Sequence, residues 1–358
     1  MKKKRIVSTL LALLLFAGLP VSALADTWDI SKGDITVNAG SGGQTVTQGG
    51  GAAVEDNAPV IKGSSTENTV TINAEKDQTA NVTLSGANID VSSAGKAAVS
   101  TTGEGNVSIE LDGDNTLKSA TNHAGLEKNN GGSLTIADEN KNGKLTAKGG
   151  DYGAGIGGGM NGNSGNILIK DTTLTALAFP LYQDYGYTEL SASAVGRGSN
   201  RAYYMAVMQD QEFAMIIEEN IKIGASDGKS VWLSATGWQW RHNQEPYKKY
   251  WGTTTELLIP NENGRVDLQR LSLPYAYNYG RVISKLELRC EESTCSHEFG
   301  WVNRDGCHIW ACVNCGARDP AAENSKQNAK HIPGDWSNQK QLCTVCGHVM
   351  GTDTKAPV

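Results

Sequence analysis

The chain has 358 residues, 42 glycines and a net charge of −6, enough length for two or three domains of about 100–200 residues each. Its glycine is scattered among Val, Ile, Leu and Thr, which excludes a collagen period or a low-complexity linker. An acidic chain without a basic groove has no electrostatic footprint for nucleic acid.

The first 25 residues read as an export signal. Lys2, Lys3, Lys4 and Arg5 precede an apolar stretch from Leu10 to Leu19, and Pro20 precedes the small-residue site Ala23-Leu24-Ala25. That order marks a signal peptide, and the stretch falls short of the roughly 20 apolar residues of a membrane span. The mature chain is expected to begin at Asp26, secreted or held at the cell surface, with no membrane span after cleavage.

Composition then divides the rest. Between Asp26 and Pro180 the only aromatic residues are Trp28, Tyr152 and Phe179, and all seven cysteines lie from Cys290 onward. The first region must therefore build its core from aliphatic side chains. Runs such as Thr69-Val70-Thr71-Ile72, Val82-Thr83-Leu84, Val107-Ser108-Ile109-Glu110-Leu111, Leu134-Thr135-Ile136 and Ile167-Leu168-Ile169 alternate apolar with polar residues, the pattern of a strand with one buried face. Turn sequences such as Asp112-Gly113-Asp114-Asn115 and Asn140-Lys141-Asn142-Gly143 separate them. Small units recur as Ala97-Ala98-Val99, Ala124-Gly125-Leu126, Ala154-Gly155-Ile156 and Ala194-Val195-Gly196, spaced about 26 to about 40 residues apart, within the solenoid range. Short strands without helices between them suit a parallel β-helix, in which each turn pairs with the next. A sandwich of antiparallel hairpins is the competing fold.

The run from Trp28 through Gly153-Ala154-Gly155-Ile156-Gly157-Gly158-Gly159, with Gly33-Asp34-Ile35-Thr36-Val37 and Leu111-Asp112-Gly113-Asp114-Asn115-Thr116-Leu117, resembles exported β-helix proteins of Gram-positive bacteria. That group includes carbohydrate-binding, adhesin-like surface proteins. The resemblance covers roughly Trp28 to Ser234 and implies a fold more firmly than an activity.

Several motifs have plainer explanations. Gly153 to Gly158 fits a dinucleotide-binding G-x-G-x-x-G, but Met160-Asn161-Gly162-Asn163-Ser164-Gly165 after it does not provide the required helix, so a tight β-helix turn is expected. The acids Asp112, Asp114, Asp138 and Glu139 sit in turns. They could hold an irregular calcium site, although solvated turns are the default for such residues. His123 has no spaced partner in the sequence to mark it as a base.

Further on, Trp238 and Trp240 share one face of an expected strand, with Tyr247, Tyr250 and Trp251 close behind. These five residues are candidate carbohydrate-stacking positions; the alternative is that they form the core of a small β module, which needs large rings to bury enough area.

The tail carries the most specific chemistry. Cys312-Val313-Asn314-Cys315-Gly316 and Cys343-Thr344-Val345-Cys346-Gly347 are two C-x-x-C-G turns, preceded by Cys295-Ser296-His297 and by His331. Two residues between thiols let both sulfurs reach one ion, and the glycine tolerates the bend. The order resembles tandem C-terminal units of exported Gram-positive proteins, with Gly300-Trp301 and Gly334-Asp335-Trp336 as further marks. Ala329 stands where the second unit's first cysteine belongs, and His348 is the chosen substitute ligand. The metal set is thus Cys295, His297, Cys312, Cys315, His331, Cys343, Cys346 and His348, with structural zinc as the cofactor. Disulfides are the competing reading, as is a single Cys312/Cys315/Cys343/Cys346 site, whose central gap exceeds the usual ribbon spacing of about 15–20 residues. Cys290 and Cys307 remain available to pair with each other.

The expected protein is mainly β: a signal peptide (1–25), a right-handed parallel β-helix (26–235), a small aromatic-rich β module (236–289), a tandem zinc-knuckle-like region (290–351) and a tail (352–358). Its expected role is non-catalytic binding of a polysaccharide or surface glycan. The alternatives are a polysaccharide lyase or glycoside hydrolase built on the β-helix, which needs a Lys/Arg base cluster or a carboxylate pair that the sequence does not display, and a passive stalk.

Overall fold

The computed structural model describes residues 25–178, 192–198, 221–225, 229–240, 249–258, 265–266, 281–292, 295–304, 307–317, 319, 329–330, 332–337, 340–345 and 349–352. Among them the only helical element is one 3₁₀ turn, Ile30–Lys32; the other regular elements are strands. No helix among the described residues is long and apolar enough to cross a membrane.

The alternating runs become three stacks of parallel strands wound into a β-solenoid. The first stack holds Ile35–Gly40, Val70–Ala74, Val99–Gly103, Leu126–Lys128, Ile156–Gly157 and Val195–Gly196. Its register sets Ile35, Val70, Val99, Leu126, Ile156 and Val195 in one column, each no more than 5% exposed. The second stack holds the first part of Thr79–Asp90, then Asn106–Asp112, Leu134–Ala137, Ile167–Lys170 and Ile221–Gly224. Val82, Ile109, Ile136, Ile169 and Ile223 form its buried column. The third holds Val60–Ser65, the end of Thr79–Asp90, Asp114–Lys118, Lys144–Lys148 and Thr173–Leu177. Its inward column is Ile89, Leu117, Ala147 and Ala176. Equivalent aliphatic residues therefore pack on one another from turn to turn, while hydrogen bonds between turns satisfy the backbone.

The corners explain the glycine. Thr79–Asp90 serves two stacks by bending through Gly86, at φ +65°, and one turn later the chain bends again at Gly113, at φ +62°. A second corner lies four residues before the first-stack column. There Gly95, Asn122 and Tyr152 adopt φ of 69°, 73° and 68° in consecutive turns, so the left-handed corner persists where glycine is absent. The Ala/Gly-apolar units enter these turns as the spacing predicts, except that the last enters as Ser193-Ala194-Val195, with Val195 opposite Ile156. After Gly153–Gly159 comes the short strand Ile167–Lys170 and no helix, as expected for a turn rather than a dinucleotide site.

Parallel stacking stops at antiparallel strands. Gly43–Gln48 closes the first stack beside Ile35–Gly40. At the other end Arg281–Glu292 pairs antiparallel with Thr173–Leu177, then with Lys229–Trp240, which pairs with Lys249–Leu258. The strand Lys229–Trp240 runs through position 235, where the sequence places a boundary, and Leu233 and Leu288 continue the solenoid core. Two small antiparallel sheets follow: Phe299–Arg304, Cys307–Cys312 and Ala329–Lys330, then Pro333–Ser337, Lys340–Cys343 and Val349–Thr352.

Candidate metal centre

The hairpin Phe299–Arg304/Cys307–Cys312 brings the two halves of one ligand set together. Its register places Phe299 opposite Cys312, so the segment carrying Cys295 and His297 comes beside the C-x-x-C turn. Trp301 and Trp310, opposite each other, meet edge to face at 5.6 Å, and Trp310 Nε1 donates to Asp319 at 2.9 Å. The turn is pinned by backbone bonds from Gly316 N–H to Cys312 O (2.8 Å), from Cys312 N–H to Ala317 O (2.7 Å) and from Val313 N–H to Glu298 O (2.9 Å). Gly316 sits at φ +75°, a conformation that glycine adopts without steric penalty.

The ligand atoms of Cys295, His297, Cys312 and Cys315 all lie within 4.8 Å of one another. Cys295 Sγ is 3.6 Å from Cys312 Sγ, and Cys315 Sγ is 3.6 Å from His297 Nδ1. A tetrahedral ion with Zn–S near 2.3 Å and Zn–N near 2.0–2.1 Å requires edges of about 3.8 Å between sulfurs and about 3.6 Å from sulfur to nitrogen. Both distances fit. The Cys295–Cys312 separation is far from the roughly 2.05 Å of a disulfide, and Cys295, Cys312 and Cys315 are free thiols. The His297 ring stacks on Phe299 at 5.9 Å.

The electrostatics separate the thiols. Burial opposes charge on Cys312, but the His297 ring and the backbone N–H groups of Cys315, Asn314 and Glu298 outweigh it and bring this thiol down to about 6. Hydrogen bonding to Cys315, then desolvation, then Cys312 push Cys295 up to about 12. A cation among these crowded sulfurs would supply the positive charge that favours their thiolate forms. These four residues can hold a metal ion, and they are the first four of the eight ligands expected from the sequence. Of the rest, Cys343 is buried and its sulfur accepts from Ile332 N–H at 3.4 Å, whereas His331, Cys346 and His348 lie outside the described residues.

Of the expected carbohydrate positions, Tyr247 lies outside the described residues, as do the side chains of Trp238, Trp240, Tyr250 and Trp251. Their backbones pair Trp238 with Trp251 and Gln239 with Tyr250. The acidic turns are engaged locally: Asp138 accepts from Asn142 and Gly143 N–H, Asp112 accepts from Ser85, and Asp114 pairs with Lys144.

One residue needs a correction. His123 does have a partner: its Nδ1 lies 2.9 Å from Glu127 Oε2, and Glu127 also accepts from Ala124 N–H at 3.0 Å and from Asn129 at 3.0 Å. An i,i+4 spacing brings side chains together on a helix, whereas on a strand it separates them. The corner at Asn122 folds the chain back and closes the pair.

No protein-family model matches the chain, and no match to it is found among the curated proteins or among the solved structures.

Proposed function

We propose that this is an exported, non-catalytic binding protein whose solenoid offers a rigid strip to an extended carbohydrate, with a structural zinc ion in the Cys295/His297/Cys312/Cys315 cluster. The observation that carries the binding reading is one continuous outer face. On the third stack Ser64, Asn88, Thr116, Thr146 and Thr175 stand in register across five strands, about 4.8 Å apart, and Thr175 continues to Glu287 on the antiparallel strand Arg281–Glu292. Such a column presents hydroxyl and amide groups at a fixed repeat, which suits a polymer laid across the strands.

Trp232 flanks that strip. Along Lys229–Trp240, Val231 and Leu233 are fully buried, while Trp232 is half-buried with Arg289 stacked 3.9 Å above its ring. The register shift beside Thr236 falls in the partner strand, and pairing with Lys249–Leu258 continues unbroken. A half-buried ring beside the column supports stacking on a flat sugar face. Zinc is favoured by the two distances that match a tetrahedron and by the mixed sulfur and imidazole donors, which suit a borderline-soft ion.

Retention on a panel of polysaccharides, scored beside release of new reducing ends, tests the binding reading. Binding without cleavage is expected, and Trp238→Ala should abolish it while leaving Tm unchanged; a large fall in Tm would place the ring in the core. The His123–Glu127 pair favours a second reading, glycan cleavage with His123 as a carboxylate-oriented base, which is upheld only if reducing ends appear and His123→Gln removes them. Elemental analysis should find zinc in protein purified without added metal, and Cys312→Ser should lose about one equivalent, since a structural site needs all four ligands.

A further inference from the structure

We propose that Cys295 and Cys312 become joined by a disulfide when the metal leaves, so that metal ion and covalent bond are alternative occupants of one site. The inference rests on the metal reading above. Its basis is which parts of the cluster are fixed. Cys312 ends the strand Cys307–Cys312, and its turn is held by the Gly316, Ala317 and Glu298 backbone bonds. Cys295 lies in the irregular segment that precedes Phe299–Arg304, with its sulfur 3.6 Å from Ser296 O and 3.6 Å from Cys312 Sγ. An S–S bond of about 2.05 Å requires an approach of about 1.5 Å, which a side chain outside the regular strands can supply by rotation. Closing Cys312 onto Cys315 would instead tighten a turn that three backbone bonds already set. Cys315 Sγ is moreover the sulfur beside His297 Nδ1, at 3.6 Å.

The chemistry needs a two-electron oxidant, and a peroxide suffices. One thiolate sulfur attacks a peroxide oxygen, the O–O bond breaks, and hydroxide leaves with that bond's electron pair, giving a sulfenic acid. The second thiolate attacks this sulfur, the S–O bond breaks, and a second hydroxide leaves as the S–S bond forms. Two protons from solvent turn both hydroxides into water. Two thiolates have lost two electrons and the peroxide has gained them, and the joined sulfurs no longer offer a returning divalent ion two of its ligands. The bound metal opposes this sequence by holding both sulfur lone pairs.

The test uses the full chain carrying Cys343→Ser, which confines the zinc count to the first unit. Zinc uptake by the reduced chain is measured first. Zinc-loaded and EDTA-stripped samples then receive equal hydrogen peroxide, the linked cysteines are mapped by fragmentation mass spectrometry, and zinc uptake is measured again before and after dithiothreitol. The expected result is a Cys295–Cys312 link, two hydrogens lighter, in the stripped sample, strong protection in the loaded one, and zinc uptake lost on linkage and restored by reduction. A dominant Cys312–Cys315 link, equal linkage in both samples, or zinc bound alongside the link overturns the inference while leaving the metal reading intact. A reduced chain that takes up no zinc overturns the metal reading, and the inference with it.

Discussion

Ile136 occupies the middle of the column Val82–Ile109–Ile136–Ile169–Ile223 and has no exposed surface. Ile136→Ala removes three carbons. At about 0.8 kcal/mol for each buried methylene the transfer loss is about 2.4 kcal/mol. The neighbouring turns cannot close the gap, because backbone hydrogen bonds fix the strand separation at about 4.8 Å. A cavity of about 70 Å³ at about 24 cal/mol per Å³ then adds about 1.7 kcal/mol, for a total of about 4 kcal/mol. In a solenoid the loss is felt at both interfaces of the altered turn. Val195→Ala provides the contrast, since it removes two methyl groups from the last strand of the first column, where the side chain is already 5% exposed; about 1.5 kcal/mol is expected. Guanidinium unfolding followed by far-ultraviolet circular dichroism reads both. Equal costs at the two positions, or an Ile136→Ala cost below about 1.5 kcal/mol, would refute the stacked-column account.

Gly153→Ala should lower stability by about 3 kcal/mol, the upper range for overpacking, because an added Cβ would run into the His123 carbonyl group; thermal unfolding decides it, and an unchanged Tm would contradict the corner geometry. Lys128 is 3% exposed, its Nζ donates to the Asn130 and Gly132 carbonyls, and burial lowers its pKa. The unfolded chain therefore holds this proton more tightly. Stability should rise with pH from the lowered folded value up to the ordinary lysine value near 10.4, and Lys128→Met should flatten that rise in unfolding measured across alkaline pH. A chelator should melt the cluster hairpin and leave the solenoid's strand signal in place, because metal affinity contributes directly to folding in a small domain; loss of the solenoid signal on chelation would show the two to be one cooperative unit.

The solenoid was legible because it is a periodic object. Val70, Val99, Leu126 and Ile156 are apolar at intervals of about one turn, and the polar residues between them alternate with period two, so local patterning and the global stack carry the same information. What the pattern could not carry was how the stack ends. Arg281–Glu292 returns from more than a hundred residues downstream to cover Thr173–Leu177, and its Leu286 and Leu288 look like those of any strand. Antiparallel capping is chosen by which edge remains unpaired, a property of the assembled sheet.

The metal cluster and the His123–Glu127 pair show the same division at the level of sites. C-x-x-C-G encodes its own geometry: two intervening residues and a left-handed glycine aim both sulfurs in one direction before any tertiary contact forms. Cys295 and His297 needed only a hairpin, and the Trp301–Trp310 cross-strand pair fixes its register. His123 and Glu127 needed a corner. On a straight strand, residues four apart are separated by about 13 Å, and only the φ of 73° at Asn122 and the stacking of the next turn, where Met160 N–H donates to Asn122 O, return the imidazole to the carboxylate. A left-handed asparagine is a property of the assembled corner and not of composition, since asparagine adopts that conformation in a minority of its turns. Side-chain sites in a solenoid are therefore most hidden at non-glycine corners, and the corners at Asn122 and Tyr152 are where substitution to glycine should separate backbone strain from the contacts it holds in place.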